Sequence, residues 1–88
     1  VSKSLEVVLP TENGLHARPA TKFVEMASRF SSDICISKDG TSVSGKSVIE
    51  ILTLAAEYGS KLLISAEGED EEEAVEALVK LVEKSFQE

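Results

Sequence analysis

An 88-residue chain with 42% hydrophobic and 28% charged residues has room for one modest core and the composition of an ordered globular protein. A net charge of -7, with nine basic residues that form no run, argues against nucleic acid or an anionic membrane as a partner held by bulk charge. No apolar stretch approaches a membrane span, no signal pattern opens the chain, and one cysteine excludes an internal disulfide, so a cytoplasmic single domain over residues 1–88 is the expectation.

In chain order, Leu5, Val7 and Leu9 alternate with polar Ser4 and Glu6 as a first strand should, until PTENG breaks the pattern. Ala20, Phe23, Val24, Ala27 and Phe30 then recur at helical spacing, with Pro19 tolerable only in the first turn, which predicts a helix near 18–29. Ile34 and Ile36 alternate again, with Cys35 between them as a small strand residue. KDG offers a hairpin turn, and TSVS returns as a weaker strand. Ser47, with Glu50 three residues on, forms a capping box ahead of Val48, Ile49, Ile51, Leu52 and Leu54, a short helix near 48–54 that ends by Gly59. Leu62, Ile64 and Ala66 mark a fourth strand. Asp70 and Glu73 read as the cap of a last helix, near 71–85, in which Ala74, Val75, Leu78, Leu81 and Val82 share one face. Glu71, Glu72 and Glu73 suit the positive end of that helix dipole, so the acidic run reads as a solvated helix start and no metal site is expected. Strand, helix, strand, strand, helix, strand, helix is an α+β order, with helices on one face of a mostly antiparallel sheet.

The segment GTSVSGKS, Gly40 to Ser47, matches the nucleotide-binding pattern G-x-x-x-x-G-K-[ST]. In such a loop the glycines leave a strand directly and the intervening amides curl around phosphates. Here the first glycine falls in a hairpin turn and the residues between the glycines read as a strand, whose amides belong to a sheet. An ATP-hydrolysing enzyme is therefore rejected, and the remaining GKS has a local role as a helix start.

The other chemistry-bearing stretch is NGLHARPA, which holds the only histidine of the chain just before a helix. No Ser, Thr, Asp or Asn caps that helix at Ala17 or Arg18, so several amides are expected to point outward without a partner, as at an anion-binding helix end. A phosphoryl group on the imidazole of His16 would meet those amides, the helix dipole and the Arg18 guanidinium. Periodicity alone leaves open that His16 merely caps the helix or decorates a loop.

NGLHARPA, followed by GKSVIEILTLAA and ISAEGEDEEEAVEAL, resembles over essentially the whole chain the HPr phosphocarrier family of the bacterial phosphotransferase system. The resemblance implies an open-faced β-sandwich in which three helices cover a four-stranded antiparallel sheet of order 1-4-2-3; the residue pattern alone allows a ferredoxin-like order equally. It implies no enzyme and no cofactor, but a monomeric carrier. His16 would take a phosphoryl group on Nδ1 from enzyme I, charged by phosphoenolpyruvate, and pass it to sugar-specific enzyme II components, with Arg18 as the active-site arginine. Ser47 matches a serine phosphorylated in some bacteria by an HPr kinase/phosphorylase, a mark read by a transcriptional regulator. Val48, Ile49 and Leu52 match the apolar partner surface, while Ile51 and Leu54 read as core. Glu50, where the family commonly has glycine or lysine, and Glu25 on the first helix depart from the pattern and put the fit to a generic enzyme I in question. The LPTENG loop is about one residue longer than in many members, which leaves the place of Asn13 open. SVI and the ending SFQE carry a weaker likeness to the nitrogen-branch regulatory paralogue. A regulatory binding module without phosphoryl carriage is the other alternative.

Overall fold

The computed structural model describes residues 2–10, 14–84 and 86. Asn13 and the end of the SFQE segment lie outside them, as does Ser85, to which the last helix was expected to run. Seven elements follow in the expected order: β1 (Lys3–Val8), α1 (Ala17–Ala27), β2 (Asp33–Lys38), β3 (Thr41–Ser44), α2 (Val48–Leu52), β4 (Lys61–Glu67) and α3 (Glu71–Glu83).

The four strands form one antiparallel sheet of order β1-β4-β2-β3. Register decides which side chains meet the helices: Val7 lies opposite Leu62, Leu5 opposite Ile64, and Ile36 opposite both Ile64 and Val43. Because side chains alternate across a strand, this places Val7, Ile34, Ile36, Leu62 and Ile64 on the helix-covered face and Ser4, Glu6, Ser37, Lys61 and Ser65, with the exposed Val8 and Leu63, on the other. The turn between β2 and β3 has positive φ at both central residues, 50° at Asp39 and 83° at Gly40, the backbone that matches the twist of a two-residue hairpin.

Helical periodicity supplies the second layer. α1 buries Pro19, Ala20, Phe23 and Ala27, and α3 buries Ala74, Val75, Leu78, Leu81 and Val82. α3 packs on β1 and β4, while α1 lies against α2 and α3. Phe23, Ile36, Ile51, Leu62, Ile64 and Leu78 are fully buried at the centre of the shared core. Ile51 and Leu54 belong to it, as expected from the sequence. Among the described residues no helix is long and apolar enough to cross a membrane.

Two expected caps are corrected. Asp70 stands at the start of α3, but its side chain makes no capping bond, and its backbone (ψ 28°) is not the extended conformation from which a side chain reaches its own helix. Its carboxylate instead accepts the amides of Ser31 and Ser32, at 2.9 and 3.0 Å, and the Ser32 hydroxyl, tying the residues just before β2 to the start of α3. Those bonds, the Ser32 hydroxyl first, lower the Asp70 pKa to about 2. The box at α2 is half formed. The Ser47 Oγ accepts the Glu50 amide at 3.2 Å, but the Glu50 carboxylate accepts the amide of Ser44 at 3.2 Å rather than returning to Ser47.

Candidate functional site

The segment from Gly40 to Ser47 folds as a hairpin arm and a helix start rather than as a phosphate loop. Residues 41–44 are β3. The amide of Gly45 donates to the Ile34 carbonyl at 2.7 Å, that of Lys46 to the Ser44 hydroxyl at 3.2 Å, and the Lys46 ammonium to the Phe30 carbonyl at 2.8 Å. Gly45 is glycine because of packing: a Cβ there would fall 2.5 Å from Ile34 Cγ2 and 3.2 Å from Phe23 Cε1. Donors committed to protein acceptors in this way are not free to curl around a phosphate.

The start of α1 is arranged the other way. His16 occupies the capping position with extended backbone (φ -98°, ψ -166°) and makes no side-chain capping bond. The possibility that it merely caps the helix therefore finds no support. His16, Ala17 and Arg18 are exposed in succession, whereas Pro19 and Ala20 are buried. The first intrahelical bond runs from the Ala20 amide to the His16 carbonyl at 3.0 Å. Pro19 has no N–H, so the several open amides expected here reduce to two, those of Ala17 and Arg18. Among the described residues neither these amides nor the His16 and Arg18 side chains have a hydrogen-bond partner. An exposed imidazole, two open amides at the positive end of an eleven-residue helix, and an exposed arginine side chain thus come from consecutive residues. That combination can accept a compact dianion such as a phosphoryl group and hold it moderately, because solvent screens each interaction.

The other sequence-derived candidates separate by exposure. Ile49 is 77% exposed and Leu52 39%, but Val48 is half-buried against the core and offers less surface than expected. The side chain of Ser47, half-buried, is engaged as a cap. Glu50 and Glu25 are exposed. The Lys22 ammonium, one turn beyond Arg18, donates to the Phe86 carbonyl at 3.1 Å and so belongs to the seam between α1 and the end of α3.

Residues 55–60, between α2 and β4, carry no sign of a functional role in their residue types. They back the segment that carries His16, because the Leu15 amide donates to the Ala56 carbonyl at 2.9 Å. The contact is made by backbone atoms, which residue types do not announce. The one legible signal is Gly14 (φ 70°), whose place in NGLH reflects this close approach.

The model of one protein family, described as the PTS HPr component phosphorylation site, matches residues 3–84. The phosphocarrier protein HPr of Borreliella burgdorferi is 53% identical over 83 residues, which cover 94% of this chain and 95% of that protein. The HPr-like protein Crh of Halalkalibacterium halodurans is 49% identical, with 96% of this chain and 98% of its own length covered. The crystal structure of an HPr from Thermoanaerobacter tengcongensis aligns with a TM-score of 0.93 at 46% identity, covering 98% of this chain and 97% of that one. The chain belongs to the HPr family, the phosphocarrier proteins of the phosphotransferase system.

Proposed function

We propose that this chain acts as a single carrier domain that accepts a phosphoryl group on His16 from phosphorylated enzyme I and hands it to sugar-specific enzyme II components. The lone pair of the imidazole nitrogen attacks the phosphorus, the bond from phosphorus to the donor breaks, and its electron pair leaves with the donor. The three phosphoryl oxygens then face the amides of Ala17 and Arg18 and the Arg18 guanidinium. The onward step reverses this sequence on the next acceptor. Such an intermediate has to be labile as well as stable, and a solvent-screened helix end meets both needs better than an enclosed site.

The observation that carries this reading is the uncapped start of α1, where His16 holds the capping position without using its side chain. Ile49 and Leu52 supply the apolar part of the surface that enzyme I and enzyme II components would cover. Ser47 is the proposed regulatory phosphorylation site. A phosphate there would stand beside Ile49 and Glu50, where added charge opposes docking. Incubation with the source organism's enzyme I and phosphoenolpyruvate tests the reading: it requires an acid-labile phosphate on His16.

A regulatory module that binds partners without carrying phosphate is the second reading, in which the exposed Ile49 and Leu52 serve docking and His16 stays idle. The same incubation separates the two, since this reading leaves His16 unlabelled.

A further inference from the structure

The backbone on either side of the loop before His16 is fixed by a segment distant in sequence. Leu9, just past β1, exchanges two bonds with the connection between α2 and β4: its amide donates to the Ser60 carbonyl at 2.8 Å and its carbonyl accepts the Gly59 amide at 2.9 Å. On the other side the Leu15 amide donates to the Ala56 carbonyl at 2.9 Å. The connection itself is braced, with the Glu57 amide donating to the Ser60 hydroxyl and the Ser60 amide to the Glu57 carbonyl, each at 2.9 Å. Ala55 adopts a left-handed backbone (φ 51°) just before Ala56, although it is not glycine. A conformation of that kind carries strain and persists only where its surroundings impose it.

Gly14 is fitted against this platform. A Cβ at that position would fall 2.6 Å from the Ala56 carbonyl oxygen and 3.2 Å from Glu57 Cα, both backbone atoms that cannot swing aside. Gly40 and Gly59 have similar positive φ, 83° and 84°, but a Cβ there would meet nothing within 4 Å. Backbone freedom alone would thus account for those two glycines. At Gly14 the close approach is a separate requirement.

We propose that Gly14 and the Ala56 carbonyl are positioning elements for His16, a role that rests on the carrier reading. Leu15 is pinned twice, through its amide and through a side chain only 4% exposed, and Pro19 and Ala20 are buried on the far side. The exposed stretch from His16 to Arg18 is therefore suspended between two anchors. The imidazole can rotate about its own bonds, but the backbone torsions that set its direction from the Ala17 and Arg18 amides are held from both sides. A displacement on the order of 1 Å between reacting groups costs about a hundredfold in rate, and the clash of a Cβ at position 14 is large enough to push Leu15, and with it His16, by a substantial fraction of that.

The test compares Gly14→Ala with Gly40→Ala, which imposes the same left-handed penalty in the β2–β3 turn without a clash. Each chain is the varied substrate of enzyme I in the presence of phosphoenolpyruvate. Gly14→Ala should lower the saturating rate by about tenfold or more while KM stays within about threefold, and Gly40→Ala should leave both values within about twofold. A purely structural role would lower the melting temperatures of both variants and the saturating rate of neither, which would overturn the proposal. So would equal rate losses in the two variants. Should Gly14→Ala fail to fold, replacing the Leu15 amide by an ester removes the N–H donor and keeps every side chain; the same loss of saturating rate is expected, and an unchanged rate overturns the proposal. A wild-type chain that takes no phosphate on His16 would overturn the carrier reading itself, an outcome visible before any variant is compared.

Discussion

The starts of α1 and α2 follow two glycine-bearing segments that both look suited to phosphate, and they use their polar atoms in opposite ways. At α2 the Ser47 hydroxyl takes the Glu50 amide, the Glu50 carboxylate takes the Ser44 amide, and the Gly45 amide and Lys46 ammonium close on the carbonyls of Ile34 and Phe30. At α1 His16 stands in the corresponding capping position and its imidazole contributes no bond to the helix. Leaving a helix start without a side-chain cap forgoes about 1 kcal/mol. A phosphate on His16 would meet the groups left open at that cost. Residue types made the two segments comparable; hydrogen-bond commitment separates them.

The contrast can be broken most sharply at the imidazole. His16→Ala is predicted to abolish labelling by enzyme I and phosphoenolpyruvate while changing stability by less than about 0.5 kcal/mol, because the side chain is exposed and bonded to nothing described. Gel-resolved labelling and thermal melting check both parts, and label that survives the change would refute the assignment. Arg18→Ala keeps the acceptor but removes a charge-assisted donor, so transfer should slow by about ten- to a hundredfold, as rapid-quench measurements would resolve. Ser47→Asp should weaken docking by about fivefold at low salt, an effect on the order of 1 kcal/mol that shrinks at moderate salt. Glu50 already makes this helix start acidic, and in a Glu50→Gly background the same substitution should cost more. Rates indistinguishable from wild type at both salt concentrations would mean that Ser47 is only a cap. Ser47→Ala should cost about 1 kcal/mol of stability and leave His16 labelling intact.

The smallest effect sharpens the comparison from a third helix start. Asp70 holds Ser31 and Ser32 as a carboxylate with a pKa lowered from 3.8 to about 2. The unfolded chain therefore binds this proton first as pH falls, so the stabilisation is full above about pH 4 and disappears as pH drops toward 2. Asp70→Asn should melt below wild type at neutral pH, with the gap closing over that interval. A gap that does not vary with pH would show that the carboxylate's charge is not what ties Ser31 and Ser32 to the start of α3.

Much of this architecture was legible because hydrophobic periodicity is strong where it matters. Phe23 and Ala27, Ile34 and Ile36, Leu62 and Ile64, and Leu78 and Leu81 with Val82 all announce their elements and are all buried. The sheet order was less legible, since alternation gives a strand's inward face but not its neighbour; the expected order came from family resemblance, and the register of β4 between β1 and β2 bears it out. Cap chemistry failed where two amide donors compete for one carboxylate. Asp70 and Glu50 each have a helix amide in sequence reach, yet each bonds an amide brought close only by folding. At the candidate site, His16, Ala17 and Arg18 could be read from adjacent residues, whereas the Ala56 carbonyl that holds Leu15 could not. A backbone atom supplied from another part of the chain leaves its only trace in the glycine that accommodates it.

The most direct test of the open α1 start combines phosphorus and amide NMR on the chain after incubation with enzyme I and phosphoenolpyruvate. The account predicts a phosphoramidate resonance, loss of the free His16 imidazole signal, and large amide proton shifts at Ala17 and Arg18, with the amides of Gly45 and Lys46 unmoved. A phosphate ester on a hydroxyl, or a labelled His16 that leaves the Ala17 and Arg18 amides where they were, would contradict it.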